Sequence, residues 1–472
     1  VPDRARQKKD KGENRMKSIF GKIVAFVMAI GFVFACASCS GGGDSSQGGG
    51  ESLDTSKSIT LKIESAAPLK QGYISLLRTE KEGSQLYNQA LFTKRVVDGF
   101  KAKYPNIKLQ FIENGWGEAL YQIQQVYIKD HIKKNIKYPV DVMIGESYMG
   151  YFAKNGVFAE LDSAKFSDVV EGSYADTVVD GKMYCVPMCT GILGLQYNEN
   201  ILKEAGIAED KYVPGTWDEL LENCRLVSEY AKANGKEYGG IMMNNVAGMS
   251  GAFRALPFMR QAGGDFLDDN GNLTLTSEAN RTAFAYLRNL AKYSYSEALT
   301  VESEDTLQYY FTNKGYAAYM IEGQWSMSSA PEYIKSAALP AKDASSTVKG
   351  NCYIGNLTFG IAKASENYAA ASAFLEYITS DEVQSWFYEL DGRLAVNKKT
   401  LAKEETRLVH PNINPYIDAL LAGGFEGGMA CFTKNASDIW DKWGIFYNGV
   451  LKGEGDIAAL CEQVQKDISA KM

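Results

Sequence analysis

From Ser58 to Glu64 (SITLKIE) apolar and polar residues alternate, the period of a half-buried strand. Residues 66–90 carry no dominant period, and no element is assigned to them. The period then changes: Val96, Val97, Phe100 and Tyr104 recur on one helical face, and Pro105-Asn106 ends that helix. IKLQFIE (107–113) alternates again, a helix is predicted from Leu120 to Ile136, and VDVMIG (140–145) reads as a buried strand. Strands and helices in this order imply a largely parallel sheet, whose ligands bind beyond the carboxyl ends of its strands. Those ends carry Glu64-Ser65, Glu113-Asn114-Gly115-Trp116 and Glu146-Ser147-Tyr148.

The stretch Gly181–Asn200 (GKMYCVPMCTGILGLQYNEN) behaves differently. Asp180-Gly181 is a tight-turn dipeptide, and an apolar run through Met183, Tyr184 and Val186 is interrupted by Pro187, which cannot donate to a ladder. A second apolar run, Ile192 to Tyr197, ends at Asn198-Glu199-Asn200, where a helix should start. A strand that stops at a proline and restarts can leave one domain and enter another. Beyond it, Thr216 and Glu219 form a capping box for a helix reaching about Ala233. YGGIMMN (238–244) is a short strand, 251–262 a helix, and Asn270-Gly271 a hairpin turn. Helices follow over 277–293 and 303–313, then a strand, YAAYMI (316–321), running into Glu322-Gly323-Gln324-Trp325. Residues 351–363 form another strand, Ser365 and Ser380 each cap a helix, and two helices close the chain.

Composition narrows the chemistry. The 472 residues exceed what one core usually serves, and 45% hydrophobic with 23% charged residues fits a globular protein. With 28 Tyr, 21 Phe and 2 His, the chain is rich in flat apolar faces and poor in the usual base and metal ligand. Cys185 and Cys189 have no second pair or nearby His, so no metal site and no cofactor is read; buried free thiols are expected, with one disulfide the alternative.

The first part reads as a targeting segment. Lys17 and Lys22 precede an uncharged run, Ile23–Phe34, with the length of a signal-peptide core, and Met16 is the expected start. Cys39, between Ala37-Ser38 and Ser40 with three glycines, resembles a lipoprotein cleavage box, although Cys36 stands where an aliphatic residue is usual. The expectation is a signal segment over 1–38, a lipid on Cys39, a flexible tether over 39–57, and an extracytoplasmic protein anchored to the cell membrane. An ordinary cleaved signal is the alternative. Without residues 1–38 the chain has 42 basic and 54 acidic residues, a net charge of −12. That argues against nucleic acid as partner and leaves a neutral solute open.

Taken together, DGKMYCVP, GLQYNENILKEAGI, PGTWDEL, FTNKGYAAYMIEGQW and ASAFLEYITSDEVQSW resemble the extracytoplasmic solute-binding proteins of ATP-driven importers, the group that includes maltose-binding protein. The resemblance runs from about Thr60 to the C-terminus. It implies an α/β fold of two lobes (type II), each a mostly parallel sheet flanked by helices, joined by three hinge crossings. The expected lobes are 58–190 with 356–393, and 191–355 with 394–472; DGRLAVN (391–397) resembles the third crossing. The implied function is to bind a solute between the lobes, most simply a mono- or oligosaccharide, and to deliver it as a monomer to a permease and its ATPase.

By resemblance Trp325 stacks on a sugar ring, and Trp440 and Phe253 match further aromatic positions. A sugar has an apolar C–H face and a hydroxyl rim, so a ring plane with polar partners suits it. Trp116 stands on a strand-end loop. Glu146 and Glu64, with Glu113 behind them, are the acceptors expected from lobe one, and Asn244, Asn245 and Asn356 those from lobe two and the hinge. The bland alternatives are core tryptophans and loop-capping polar groups; Trp217, Trp386 and Trp443 are read as core. Two rival functions remain: a surface receptor or adhesin without transport, and a glycosidase using Glu146 and Glu322. No GxSxG, HExxH or GxxxxGK[ST] motif supports an enzyme.

Overall fold

The structure, a computed structural model, describes residues 53, 56–66, 68–115, 117–134, 139–146, 148–246, 253–268, 270–328, 330–347, 354–422 and 436–472. The alternating run becomes β1 (Ile59–Ser65), which pairs in parallel with β2 (Ile107–Glu113) and β3 (Val142–Gly145). Leu61, Ile63, Phe111, Val142 and Ile144 sit in one core with Phe92, Val96, Phe100 and Phe374. The Asp180-Gly181 turn joins the short strands β4 (Val178–Val179) and β5 (Lys182–Met183). Asp180 at φ 52° and Gly181 at φ 76° both take the left-handed backbone that such a turn requires.

The interruption expected at Pro187 does not occur. β6 runs unbroken from Cys185 to Asn198, antiparallel to β10 (Ile354–Ile361) over its first half. The proline is absorbed by a register shift: Thr358 faces Pro187 and Leu357 faces Cys189, so Met188 is the extra residue of a bulge. Past Ile192 the same strand changes partners and pairs with β8 (Ala317–Gly323) and β9 (Ile334–Ala337), while β7 (Gly239–Met242) lies parallel to β8. The strand order is β2-β1-β3-β10-β6-β8-β7, with β9 branching from β6. Parallel strands therefore occupy both flanks, and antiparallel crossing strands join them.

Other expectations needed adjusting. Residues 66–90 contain a helix, Tyr73–Thr79, with no buried residue, and the helix that carries Val96 and Phe100 already starts within that stretch, at Gln85, capped by the Ser84 hydroxyl. The helix expected over 251–262 is described over Leu256–Gln261. That expected over 303–313 is α-helical only from Glu304 to Tyr309 and finishes in a π turn at Gly315. Ser365 caps no helix: its hydroxyl donates to Asp141, and Asn367 stands at the N-cap position of Tyr368–Ile378. The Thr216/Glu219 capping box forms with both of its bonds. Cys185, Cys189, Cys224 and Cys461 are buried free thiols.

Candidate functional site

Three crossing segments meet at Thr190. Its N–H donates to Leu394 O at 3.1 Å, its hydroxyl to Asn356 Oδ1 at 2.8 Å, and its carbonyl accepts from Gln324 Nε2 at 3.0 Å. Gln324 also receives the Ile192 N–H, so one buried amide spans the point where β6 changes partners. Thr190 and Asn356 pair across the ladder, and Asn356 is buried in that bond.

The next rung carries two glycines, Gly191 opposite Gly355. Directly opposed residues of an antiparallel pair share a face, and neighbours along a strand take the other. A Cβ on Gly191 would stand 3.0 Å from the Trp325 ring, and one on Gly355 would stand 3.5 Å from the Phe253 ring. Two half-buried aromatic rings therefore lie side by side on one face of the crossing ribbon. Gly323 adds to the bed, since a Cβ there would stand 2.0 Å from the Trp325 ring. Trp325 and Phe253 are thus brought together, and Asn356 is directed to the opposite face.

The strand ends of the β1–β3 flank supply polar groups. Glu64 is wholly buried, with one oxygen accepting from Asn114 Nδ2 at 2.8 Å and the other from Gln124 Nε2 at 2.6 Å. It pins β1 to the loop after β2 and to the helix Gly117–Lys134. Glu113 is exposed and pairs with Lys70 at 2.9 Å. Glu146 differs: its Oε2 is shut away from solvent without a partner, and burial pushes its carboxyl up to about 7. Ser65 Oγ and the Tyr148 hydroxyl are likewise buried and unpartnered. Burial, and then the neighbouring Glu146 and Glu64, hold the Tyr148 hydroxyl well above its usual range, so it is a neutral donor. Its ring is wedged edge-on against Tyr121 and Phe152.

On the other flank Asn244 Nδ2 and Asn245 Oδ1, just past the end of β7, and Glu322 Oε2, near the end of β8, are buried without partners. A cavity of about 680 Å³ opens beside Asn245, walled by Val301, Ile445, Asn448 and Lys452. Trp440 does not stand open: it is 8% exposed and packs in the cluster that holds Trp443. Trp217 and Trp443 are core, as expected, and Trp386 packs half-buried against the other core. Trp116 and Cys39 lie outside the described residues. Among the described residues no helix is long and apolar enough to cross a membrane, and no group of His, Cys, Asp and Glu could hold a metal.

Sequence reasoning placed Ser65 and Tyr148 at the strand ends without giving them a role, and it gave none to Gly191 and Gly355. Glycines inside strands were the available signal, because they mark close approach of another group.

Two sheet flanks joined by shared crossing strands, with aromatic rings on the joint and polar groups at strand ends, define a two-lobed α/β solute-binding protein. Residues 83–385 match the bacterial extracellular solute-binding protein family, and the chain belongs to that family, whose members bind solutes and are not enzymes. It is 28% identical over 160 residues to the arabinooligosaccharide-binding protein of Halalkalibacterium halodurans, covering 34% of each chain. The arabinooligosaccharide-binding protein of Bacillus subtilis is 24% identical over 248 residues, 47% of this chain and 55% of that one. The chain thus spans between about a third and just over half of the length of these curated relatives. The maltose-bound MalE3 of T. maritima superposes with a TM-score of 0.65 at 17% identity, covering 88% of this chain and 100% of that one.

Proposed function

We propose that the protein binds a saccharide in a cleft at the crossing strands and delivers it to the permease of an ATP-driven importer. The observation that carries this reading is the pair of rings, Trp325 and Phe253, laid over Gly191 and Gly355. A ring face matches the C–H face of a sugar, and the unpartnered Ser65, Glu146 and Tyr148 groups at the strand ends include both donors and acceptors, as hydroxyls require. Two relatives named for arabino-oligosaccharides and a maltose-bound structural neighbour support the ligand class. The lobes on this reading are 58–190 with 356–393, and 191–355 with 394–472, hinged at Thr190. On this reading Glu64 shapes the lobe-one wall rather than contacting the sugar, Trp440 backs the site from the core, and Trp116 is proposed as a further ring of the lining.

The test is calorimetric titration of arabino-oligosaccharides and maltose into the wild type and Trp325→Ala, with thermal melting beside it. Losing an aromatic anchor costs about 2 kcal/mol or more, roughly thirtyfold in affinity, with little change in melting temperature. Normal binding with an early melt would return Trp325 to the core. We propose further that the protein acts as a monomer tethered outside the cytoplasm through a lipid on Cys39. Cys39→Ala should then leave the membrane fraction, and release by Cys36→Ala instead would move the anchor there.

A further inference from the structure

We propose that Glu304 is a positioning residue for Trp325, holding the indole in its plane through the ring N–H while Arg254, itself fixed by Glu322, holds Glu304; the proposal rests on reading Trp325 as the ligand platform. Gly191 and Gly323 flatten the ring against the backbone on one side, but a flat bed does not stop a ring from turning within its own plane. A bond at the ring's edge does. Trp325 Nε1 donates to Glu304 Oε1 at 3.2 Å, and that oxygen also receives Gln308 Nε2 at 3.1 Å and lies 3.2 Å from an Arg254 guanidinium nitrogen. The same nitrogen of Arg254 bonds Glu322 Oε1, its Nε donates to Ile321 O at 3.2 Å, and the side chain is 2% exposed. Glu322 Oε1 in turn accepts the Gly323 N–H at 2.9 Å. The path Glu322–Arg254–Glu304–Trp325 thus leaves the chain inside β8 and returns to it three residues later, in the turn just past the strand's end. It also seats Phe253, the residue before Arg254 and the second ring of the pair.

As a device for stability this arrangement is poor. One guanidinium and two carboxylates leave a negative excess, and buried ion pairs often contribute less than the apolar side chains that could replace them. As a device for orientation it is well made, because each charged-group bond has a fixed direction. Burial disfavours the Arg254 charge, yet Glu322 and Glu304 outweigh that and keep it protonated. Because the indole N–H is already engaged, the ligand meets only the ring face, so the platform selects for an apolar C–H face and not for an acceptor at the ring edge.

The test compares Glu304→Ala and Glu304→Gln in the wild type and in Trp325→Phe, which keeps a ring but has no N–H. The probes are the arabino-oligosaccharides and maltose named above, and the nitrogen-15 indole resonance of Trp325, assigned by its loss in Trp325→Phe. Glu304→Ala should shift that resonance without any sugar and weaken sugar binding about tenfold, the scale of one oriented bond to a charged group. Glu304→Gln retains an acceptor, so it should restore most of the affinity and move the indole proton upfield. In Trp325→Phe the alanine change should have no further effect. Equal losses in both backgrounds, or an unmoved indole resonance, would overturn the proposal. If Glu304→Ala does not fold, the resonance in Glu304→Gln decides alone. If no sugar of the panel binds the wild type, the functional reading fails, while the indole resonance still decides whether Glu304 positions the ring.

Discussion

Glu146 is the residue whose chemistry departs furthest from what its sequence position announces. A carboxylate at a strand end is usually open to solvent; here Oε2 is shut away from it with no protein partner, and burial raises the group from 4.5 to about 7. A carboxyl whose folded pKa lies above its unfolded one holds its proton more tightly when folded. Its stabilising effect is therefore complete below about pH 4.5 and lost as pH rises through 7. Glu146→Gln, which cannot ionise, should leave stability at pH 4.5 unchanged and raise it at pH 8 by up to about 3 kcal/mol. Urea unfolding at the two pH values measures this, and an equal difference at both would show that the carboxyl is solvated. Glu64, by contrast, has both of its oxygens taken by amides. The sequence marked both glutamates as alike; only the packing around each separates them.

Glycines divide in the same way at the scale of the element. Gly181 serves a two-residue turn at φ 76° with nothing near its would-be Cβ, whereas Gly323 lies in a strand with the Trp325 ring 2.0 Å from its would-be Cβ. Gly181→Ala should cost roughly 1 kcal/mol of stability through backbone strain and leave ligand binding intact. Gly323→Ala must displace the ring, costing about 1–3 kcal/mol by overpacking and lowering saccharide affinity as well. Thermal melts and titrations of both variants check this, and a Gly323→Ala protein that binds normally would show that the ring tilts away freely. The helix Trp217–Ala233 is the opposite case, an element legible in full. Its capping box lies in four consecutive residues, and removing the Thr216 hydroxyl should cost about 1 kcal/mol, read from urea unfolding of Thr216→Ala.

For the whole molecule the determining feature is that β6 belongs to both flanks of the sheet. A hinge made of shared strands lets rigid lobes rotate while the ladder stays paired. A ligand shifts open and closed forms only by its preference for one of them. Small-angle scattering should accordingly give a smaller radius of gyration with a saturating saccharide than without it. An unchanged profile from a sample shown to bind by calorimetry would remove the closing motion and leave the site intact.

What the sequence determined by itself was local or periodic. β1, β2, β7 and the Asp180-Gly181 turn follow from patterns within a few residues, and so does the expectation that Trp217 and Trp443 are core. The order of strands and helices, with five motifs in a familiar succession, was enough for the fold class and family. Pro187 misled, because a bulge that absorbs a proline depends on a partner strand about 170 residues away. The helix Tyr73–Thr79 was unreadable because it buries nothing and so leaves no apolar period. The site needed the tertiary structure most. Trp325 meets Gly191, Phe253 meets Gly355, and Glu304 meets Arg254 across long stretches of chain, and each contact depends on which face of a strand a residue takes. Facing follows from register, and register is set only when the strands of both lobes have paired.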